Sequence, residues 1–82
     1  MTKKQIEEQI RSIVADQLGT DPDKIQRDAA FQEDLGADVL DFYELIMKFE
    51  EAFGISIPSD DEQKLNTLGG ATDYIASVLQ IN

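Results

Sequence analysis

The 82-residue chain carries seventeen acidic and seven basic residues, which gives a formal net charge of −10, and it contains neither histidine nor cysteine. A chain of this length supports one hydrophobic core, so we expect a single domain spanning residues 1–82. The negative charge disfavours contact with nucleic acid and with anionic lipid, and it favours partners with basic surfaces.

Without histidine or cysteine the commonest general base and the thiolate nucleophile are missing, so we do not expect an enzyme. No apolar run is long enough for a signal peptide or a membrane span, and we expect a cytoplasmic monomer.

The first predicted helix begins after Thr2, which forms a capping-box pattern with Gln5, and ends at Gly19. Its inward stripe repeats at helical spacing and consists of Ile6, Ile10, Ile13, Val14 and Leu18. A long connection then starts at Asp21-Pro22 and runs to about Asp38. We expect this loop to be ordered and held on the protein by Ile25, Ala30, Phe31 and Leu35.

Three further helices are predicted after the loop. The second spans Val39 to Phe53 and ends at Gly54. Ser59 and Glu62 have the spacing of another capping box, which predicts a short helix through about Leu65. The last helix is capped by Thr67 and has an inward stripe of Leu68, Ala71, Ile75, Val78 and Leu79. The sequence therefore predicts an all-α four-helix bundle with three main helices, one short third helix and a long first loop.

The second helix is predicted to have two apolar faces. At about 100° per residue, the core face contains Phe42, Leu45, Ile46, Phe49 and Phe53. A second apolar face lies about 130° away and contains Leu40, Tyr43 and Met47. Acidic residues surround this second face, with only Lys48 in opposition: Asp38, Asp41, Glu44, Glu50 and Glu51.

Two interpretations of the second face are open. It is either a solvated acidic surface with a few exposed apolar residues, or a docking surface with an apolar centre and an acidic rim. Residues 31–66 contain ten acidic and two basic residues, whereas residues 1–30 contain six and five. This concentration of negative charge around the helix favours docking to a basic partner.

The chain reads Asp34-Leu35-Gly36-Ala37-Asp38-Val39-Leu40-Asp41 at the start of the second helix. This motif resembles that of the acyl carrier proteins, which read Asp-Leu-Gly-Ala-Asp-Ser-Leu-Asp. Similarity continues through Glu44-Leu45-Ile46-Met47, Glu50-Glu51-Ala52-Phe53-Gly54, Ile55-Ser56-Ile57-Pro58 and Asp73-Tyr74-Ile75. The resemblance covers nearly the whole chain, including loop lengths and helix order.

The resemblance implies that the second helix is recognised by synthase and transferase enzymes of acyl metabolism. Matched position by position, it implies partner-docking roles for Asp38, Leu40, Asp41, Glu44, Met47, Glu50 and Glu51. Tyr43 joins this set as a residue of the second apolar face. It also implies an acyl-chain cavity in the bundle, and the positions that would line it are Phe31, Phe42, Leu45, Ile46, Phe49, Ile57 and Leu65. No metal ligands are implied.

The family attaches 4′-phosphopantetheine to the serine of its motif, and this chain has Val39 there. Valine has no hydroxyl group, so we expect no covalently attached cofactor at this position. The sequence thus predicts an acyl-carrier-like interaction module of fatty-acid, polyketide or other specialised lipid biosynthesis. Phe42 and Tyr43 are larger than the residues that family members commonly have, which favours natural divergence over a simple engineered block.

Two other functions stay open at this point. The chain could be an ordinary acyl carrier protein whose attachment serine was mutated to valine. It could also be an acidic helical inhibitor or immunity-type protein. The net charge is compatible with that function, but an inhibitor function would leave the motif unexplained. A calcium-binding loop is disfavoured, because Pro22 and Lys24 interrupt the ligand pattern begun by Asp21 and Asp23.

Overall fold

The computed structural model describes residues 1–81, which form three α-helices and two 3₁₀ segments. The α-helices are α1 (Lys3–Leu18), α2 (Val39–Phe53) and α3 (Leu68–Val78). A 3₁₀ turn at Pro22–Lys24 lies in the long first loop, and a 3₁₀ segment at Ser59–Leu65 joins α2 to α3. Residues 1–81 contain no β-strand, and this helical architecture confirms the predicted fold class.

The ends of the first two α-helices lie where their capping residues predict. The Thr2 side chain accepts a hydrogen bond from the Gln5 backbone N–H, and the Gln5 side chain accepts one from the Thr2 backbone N–H. Gly19 and Gly54 follow α1 and α2 in the left-handed conformation, with φ of 66° and 64°. Each helix therefore stops at a residue that adopts this conformation without the steric cost of a Cβ atom.

The third helical segment differs from the prediction. Ser59 is its first residue and makes no side-chain cap, so the capping box with Glu62 is not formed. Pro58 occupies the cap position, and its carbonyl oxygen accepts a hydrogen bond from the Asp61 N–H at 2.9 Å. This i to i+3 bond closes a tighter turn than an α-helix, and the segment stays 3₁₀ as far as Leu65.

Close packing of the 3₁₀ segment against α3 explains the glycine in the first turn of α3. A Cβ atom at Gly70 would lie 2.5 Å from the backbone oxygen of Lys64. The Thr67 hydroxyl oxygen accepts a hydrogen bond from the Gly70 N–H at 2.9 Å and so caps α3 as predicted. Gly70 thus reduces helix propensity but allows the two segments to touch.

One hydrophobic core joins all the helical segments. α1 packs on both α2 and α3, and the 3₁₀ segment Ser59–Leu65 packs on α3. The large apolar side chains that are fully buried are Ile6, Ile10, Val14, Phe31, Leu45, Ile46, Phe49, Leu65, Leu68 and Ile75. The prediction that Val78 faces inward is wrong, because the buried row of α3 continues from Ile75 to Ala76, and Val78 is 45% exposed.

The long first loop is ordered by contacts with the start of α3. The Phe31 N–H donates to the Asn66 carbonyl at 2.7 Å, and the Gly69 N–H donates to the Arg27 carbonyl at 2.9 Å. Ile25 and Phe31 are buried, as expected for side chains that hold the loop on the core. These contacts fix the path of the chain as it approaches the start of α2.

A hydrogen bond between Tyr74 and Asp61 ties α3 to the 3₁₀ segment. The Tyr74 hydroxyl donates to the Asp61 carboxylate at 2.8 Å, and Lys64 pairs with the same carboxylate at 3.0 Å. The bond from Tyr74, followed by that from Lys64, lowers the pKa of Asp61 below its ordinary value of 3.8. The same bond to Asp61 raises the pKa of Tyr74 above 10.0.

Replacing Phe49 by alanine should destabilise the domain by about 3–5 kcal/mol, because it removes a fully buried aromatic ring from the core. Met47→Ala on the exposed side of the same helix should change the free energy of unfolding by less than about 0.5 kcal/mol. Urea denaturation followed by circular dichroism measures both. Equal losses in the two variants would contradict the assignment of opposite faces.

Replacing Tyr74 by phenylalanine should remove a pH-dependent contribution to stability. The lowered pKa of Asp61 means that its bond stabilises the fold above about pH 4 and is lost as the pH falls through the lowered value. The difference in unfolding free energy between wild type and Tyr74→Phe should therefore be constant near neutrality and shrink on acidification. Urea denaturation at a series of pH values measures this difference. Tyr43→Phe is the control, since Tyr43 is exposed, and a similar pH-dependent difference there would refute the assignment.

Candidate functional site

The start of α2 is fixed by a reciprocal capping box. The Asp38 carboxylate accepts a hydrogen bond from the Asp41 N–H at 2.8 Å, and the Asp41 carboxylate accepts one from the Asp38 N–H at 3.3 Å. Both carboxylates also lie at the positive end of the helix dipole. Two of the predicted docking acids thus have a structural role in setting the first turn of α2.

Val39 is the first residue of α2, and its side chain is 75% exposed. Leu40, Tyr43 and Met47 are also exposed, by 71%, 55% and 51%. We call these four residues the apolar strip. Since one turn of helix contains 3.6 residues, the strip runs along more than two turns on one side of α2. The prediction of a second apolar face is therefore correct in its geometry, and Val39 extends it by one residue.

Glu44 and Lys48 of α2 both form hydrogen bonds with one side chain of α1. The Gln17 side chain on α1 donates to the Glu44 carboxylate at 3.1 Å and accepts a hydrogen bond from the Lys48 ammonium group. This arrangement turns the basic residue of α2 toward α1. Gln17 was missed by sequence reasoning, since nothing in the pattern indicates a contact with residues 27 and 31 positions further along the chain.

Glu50 and Glu51 are adjacent in sequence but differ in environment. The half-buried Glu50 carboxylate accepts a hydrogen bond from the Ile57 backbone N–H at 2.7 Å, which anchors the link after α2. Glu51 is exposed and lines an open groove of about 310 Å³ together with Ile13, Lys48 and Ala52. Of this adjacent pair, only Glu50 combines a position at the strip with a bond that supports the fold.

The residues assigned by resemblance to an acyl-chain cavity all lie in the hydrophobic core. Phe42 is 4% exposed and Ile57 is 6% exposed, and the other five are more deeply buried. The open groove between α1 and α2 shares none of these residues. The interior positions and the groove are therefore separate parts of the molecule.

The chemistry of the site is that of a contact surface. Within residues 1–81 no group of three or more potential metal ligands of the His, Cys, Asp or Glu type comes together. The exposed groups near the start of α2 are the methyl groups of Val39 and Leu40, the Tyr43 ring and the neighbouring carboxylates. Such a surface can bind through apolar contact and charge attraction.

The chain matches the family described as phosphopantetheine attachment site over residues 8–75. This match includes the loop, all of α2 and most of α3. The chain therefore belongs to the phosphopantetheine-binding carrier domains, which are carriers rather than enzymes.

Within this class the relatives are acyl carrier proteins. The chain is 49% identical to the acyl carrier protein of Akkermansia muciniphila over 78 residues, which cover 95% of this chain and 98% of the relative. It superposes on the solved structure of an acyl carrier protein from Enterococcus faecalis with a TM-score of 0.81 and 28% identity, covering 94% of this chain and 98% of the other. The chain is a member of the acyl carrier protein family, which confirms the resemblance seen in its motif.

The family carries 4′-phosphopantetheine and interacts with enzymes of acyl metabolism. No helix within residues 1–81 is long and apolar enough to cross a membrane. The roles of individual residues of the apolar strip and its acidic rim stay predictions.

Replacing Glu50 by alanine should destabilise the fold by about 1–3 kcal/mol, because it leaves the Ile57 N–H without its charged acceptor. Glu51→Ala is a matched control, since it removes the same charge at the neighbouring exposed position. Thermal or urea unfolding at neutral pH measures both variants. If the two lose stability equally, the bond to Ile57 does not have the role inferred for it.

Proposed function

We propose that this protein is an interaction module of acyl metabolism that docks through α2 and does not carry 4′-phosphopantetheine at residue 39. The observation that carries the proposal is an exposed valine at the first position of a helix whose capping residues are in place. We infer that it acts as a cytoplasmic monomer on basic-surfaced synthases or transferases, since a charge of −10 on each copy opposes self-association.

The attachment chemistry requires an oxygen nucleophile that Val39 lacks. Transfer of the prosthetic group from coenzyme A forms a bond between a hydroxyl oxygen and the phosphorus of 4′-phosphopantetheine. The phosphoanhydride bond of coenzyme A breaks in the same step, so the hydroxyl proton and 3′,5′-adenosine bisphosphate are released. The Val39 side chain ends in two methyl groups and has no lone pair for this attack. The family's cofactor therefore does not fit residue 39, although the surrounding helix start is suited to recognition.

Docking is supported by the combination of the apolar strip with its acidic rim. Leu40 and Met47 provide apolar area, and Glu44 and Glu51 provide negative charge beside it. Such a rim accelerates association with a basic partner and favours one orientation in the complex. Asp38, Asp41 and Glu50 add to the same negative field while they support the fold.

The interior positions contribute in a different way under this proposal. Phe31, Phe42 and Phe49 are buried in one continuous core cluster with Leu45, Ile46, Ile57 and Leu65. We infer that the Phe42 ring occupies interior space that an acyl chain would use in a relative. A module without a prosthetic group has no acyl chain to shelter, so a filled interior costs it no function.

Incubation with coenzyme A and a phosphopantetheinyl transferase tests the loss of carriage directly. Intact-mass spectrometry should show no added prosthetic group on the wild-type chain, because residue 39 has no hydroxyl. The Val39→Ser variant restores the nucleophile at the same exposed helix start and should gain the mass of the group. A gain on the wild-type chain would overturn the proposal.

The same pair of proteins addresses the alternative of an ordinary carrier with a mutated serine. Efficient modification and subsequent acyl loading of Val39→Ser would favour that alternative. Modification without acyl loading would favour a module that has diverged, with Phe42 in the interior as the physical reason. In that case, replacing Phe42 by a smaller residue in the Val39→Ser variant should restore acyl loading, which the same assay measures.

A further inference from the structure

We propose that Val39 is itself a binding residue, which enters an apolar socket that is bordered by arginine or lysine on a partner protein. This inference rests on the proposed function, since it assigns a positive role to the residue at which carriage is lost. The inference goes beyond the proposed function, because any residue without a nucleophile would prevent attachment, whereas a contact role requires an apolar side chain.

The exposure of Val39 is the first argument. It is the most exposed large hydrophobic side chain within residues 1–81, and its neighbours Leu40 and Tyr43 are also more than half exposed. An isolated exposed valine is ordinary on a protein surface, whereas four apolar side chains along one side of a helix form a continuous patch. Val39 is the first residue of that row and adds its exposed methyl groups to it.

The rigidity of the helix start is the second argument. The bonds between Asp38 and Asp41 hold the backbone on both sides of Val39, and valine has stiff χ1 preferences. A side chain that is already held in place loses little conformational entropy when it binds. The isopropyl group is therefore suited to a specific apolar contact.

The negative charge around Val39 determines which kind of partner can bind there. The acidic residues nearest to Val39 in sequence are Asp38 and Asp41, and Glu44 follows about one helical turn after Asp41. A second copy of this chain would bring another charge of −10 against the same surface, and an anionic membrane would also be repelled. A protein with an apolar socket and a basic border complements both the strip and its rim.

The test is a binding measurement in which shape is kept and polarity is changed. Val39→Thr replaces one methyl group by a hydroxyl of similar size, and Val78→Thr makes the same change on the exposed side of α3. Each protein is titrated by calorimetry, without coenzyme A, into individually purified carrier-dependent synthases and transferases of the host. The titrations are repeated at low and high salt.

One enzyme should bind the wild-type chain, and the binding should weaken as salt increases. Val39→Thr should raise its Kd about fourfold or more, since a buried methyl group is lost and a hydroxyl loses water. Val78→Thr should leave the Kd unchanged, and Val39→Ile should retain or tighten the binding. Circular dichroism of each variant checks that the helices are intact.

The possible failures are distinguishable. If wild type and Val39→Thr bind the same enzyme equally, Val39 is not a contact residue, although the proposed docking function stands. If no enzyme binds, or if the wild-type chain gains the prosthetic group, the proposed function fails as well. Self-association in sedimentation, or binding to phosphatidylcholine vesicles, would overturn the choice of a basic protein as the occupant.

Discussion

The reciprocal hydrogen bonds between Asp38 and Asp41 are the constraint on which the candidate site depends. They fix the first turn of α2, and they do so independently of the Val39 and Leu40 side chains between them. Because the helix begins at Val39, every later residue of α2 has a defined direction. Phe42 and Phe49 then point into the core, and Tyr43 and Met47 point to solvent. The helix register thus separates the residues that hold the bundle together from those that are free to contact a partner.

The acidic surface has structural as well as electrostatic importance. Glu50 anchors the link after α2 through the Ile57 N–H, and the Glu44 carboxylate accepts a bond from Gln17 on α1. The carboxylates that we propose to attract a partner therefore also support the local structure. A charge-reversal variant at Glu50 would change both the docking field and the fold, whereas the exposed Glu51 reports on the field more directly.

The sequence predicted the elements whose limits are set by local chemistry. Thr2 and Thr67 cap α1 and α3 as predicted, because each side chain reaches a backbone N–H within the first turn of its helix. The start of α2 at Val39 was also predicted, but its cap by Asp38 was not. The capping pattern failed at Ser59, where the preceding proline carbonyl starts a 3₁₀ turn one residue earlier than expected. Gln17 could not be found from the sequence because its partners are brought to it only by the packing of α1 on α2. Local patterns thus predict the limits of α1 and α2 and the start of α3, and tertiary contacts determine how their polar side chains pair.

Under the proposed function, the position of Val39 explains how docking and covalent attachment are separated in this chain. The proposed docking surface extends along α2, from the capping box to Met47. Covalent attachment depends on a single oxygen atom at the first residue of that surface. Valine at this position has two methyl groups and no hydroxyl, and it leaves the bonds of the cap undisturbed, because they involve the Asp38 and Asp41 side chains and backbone only. Under the proposed function, the residue that lacks the oxygen for attachment therefore also adds exposed apolar area to the strip.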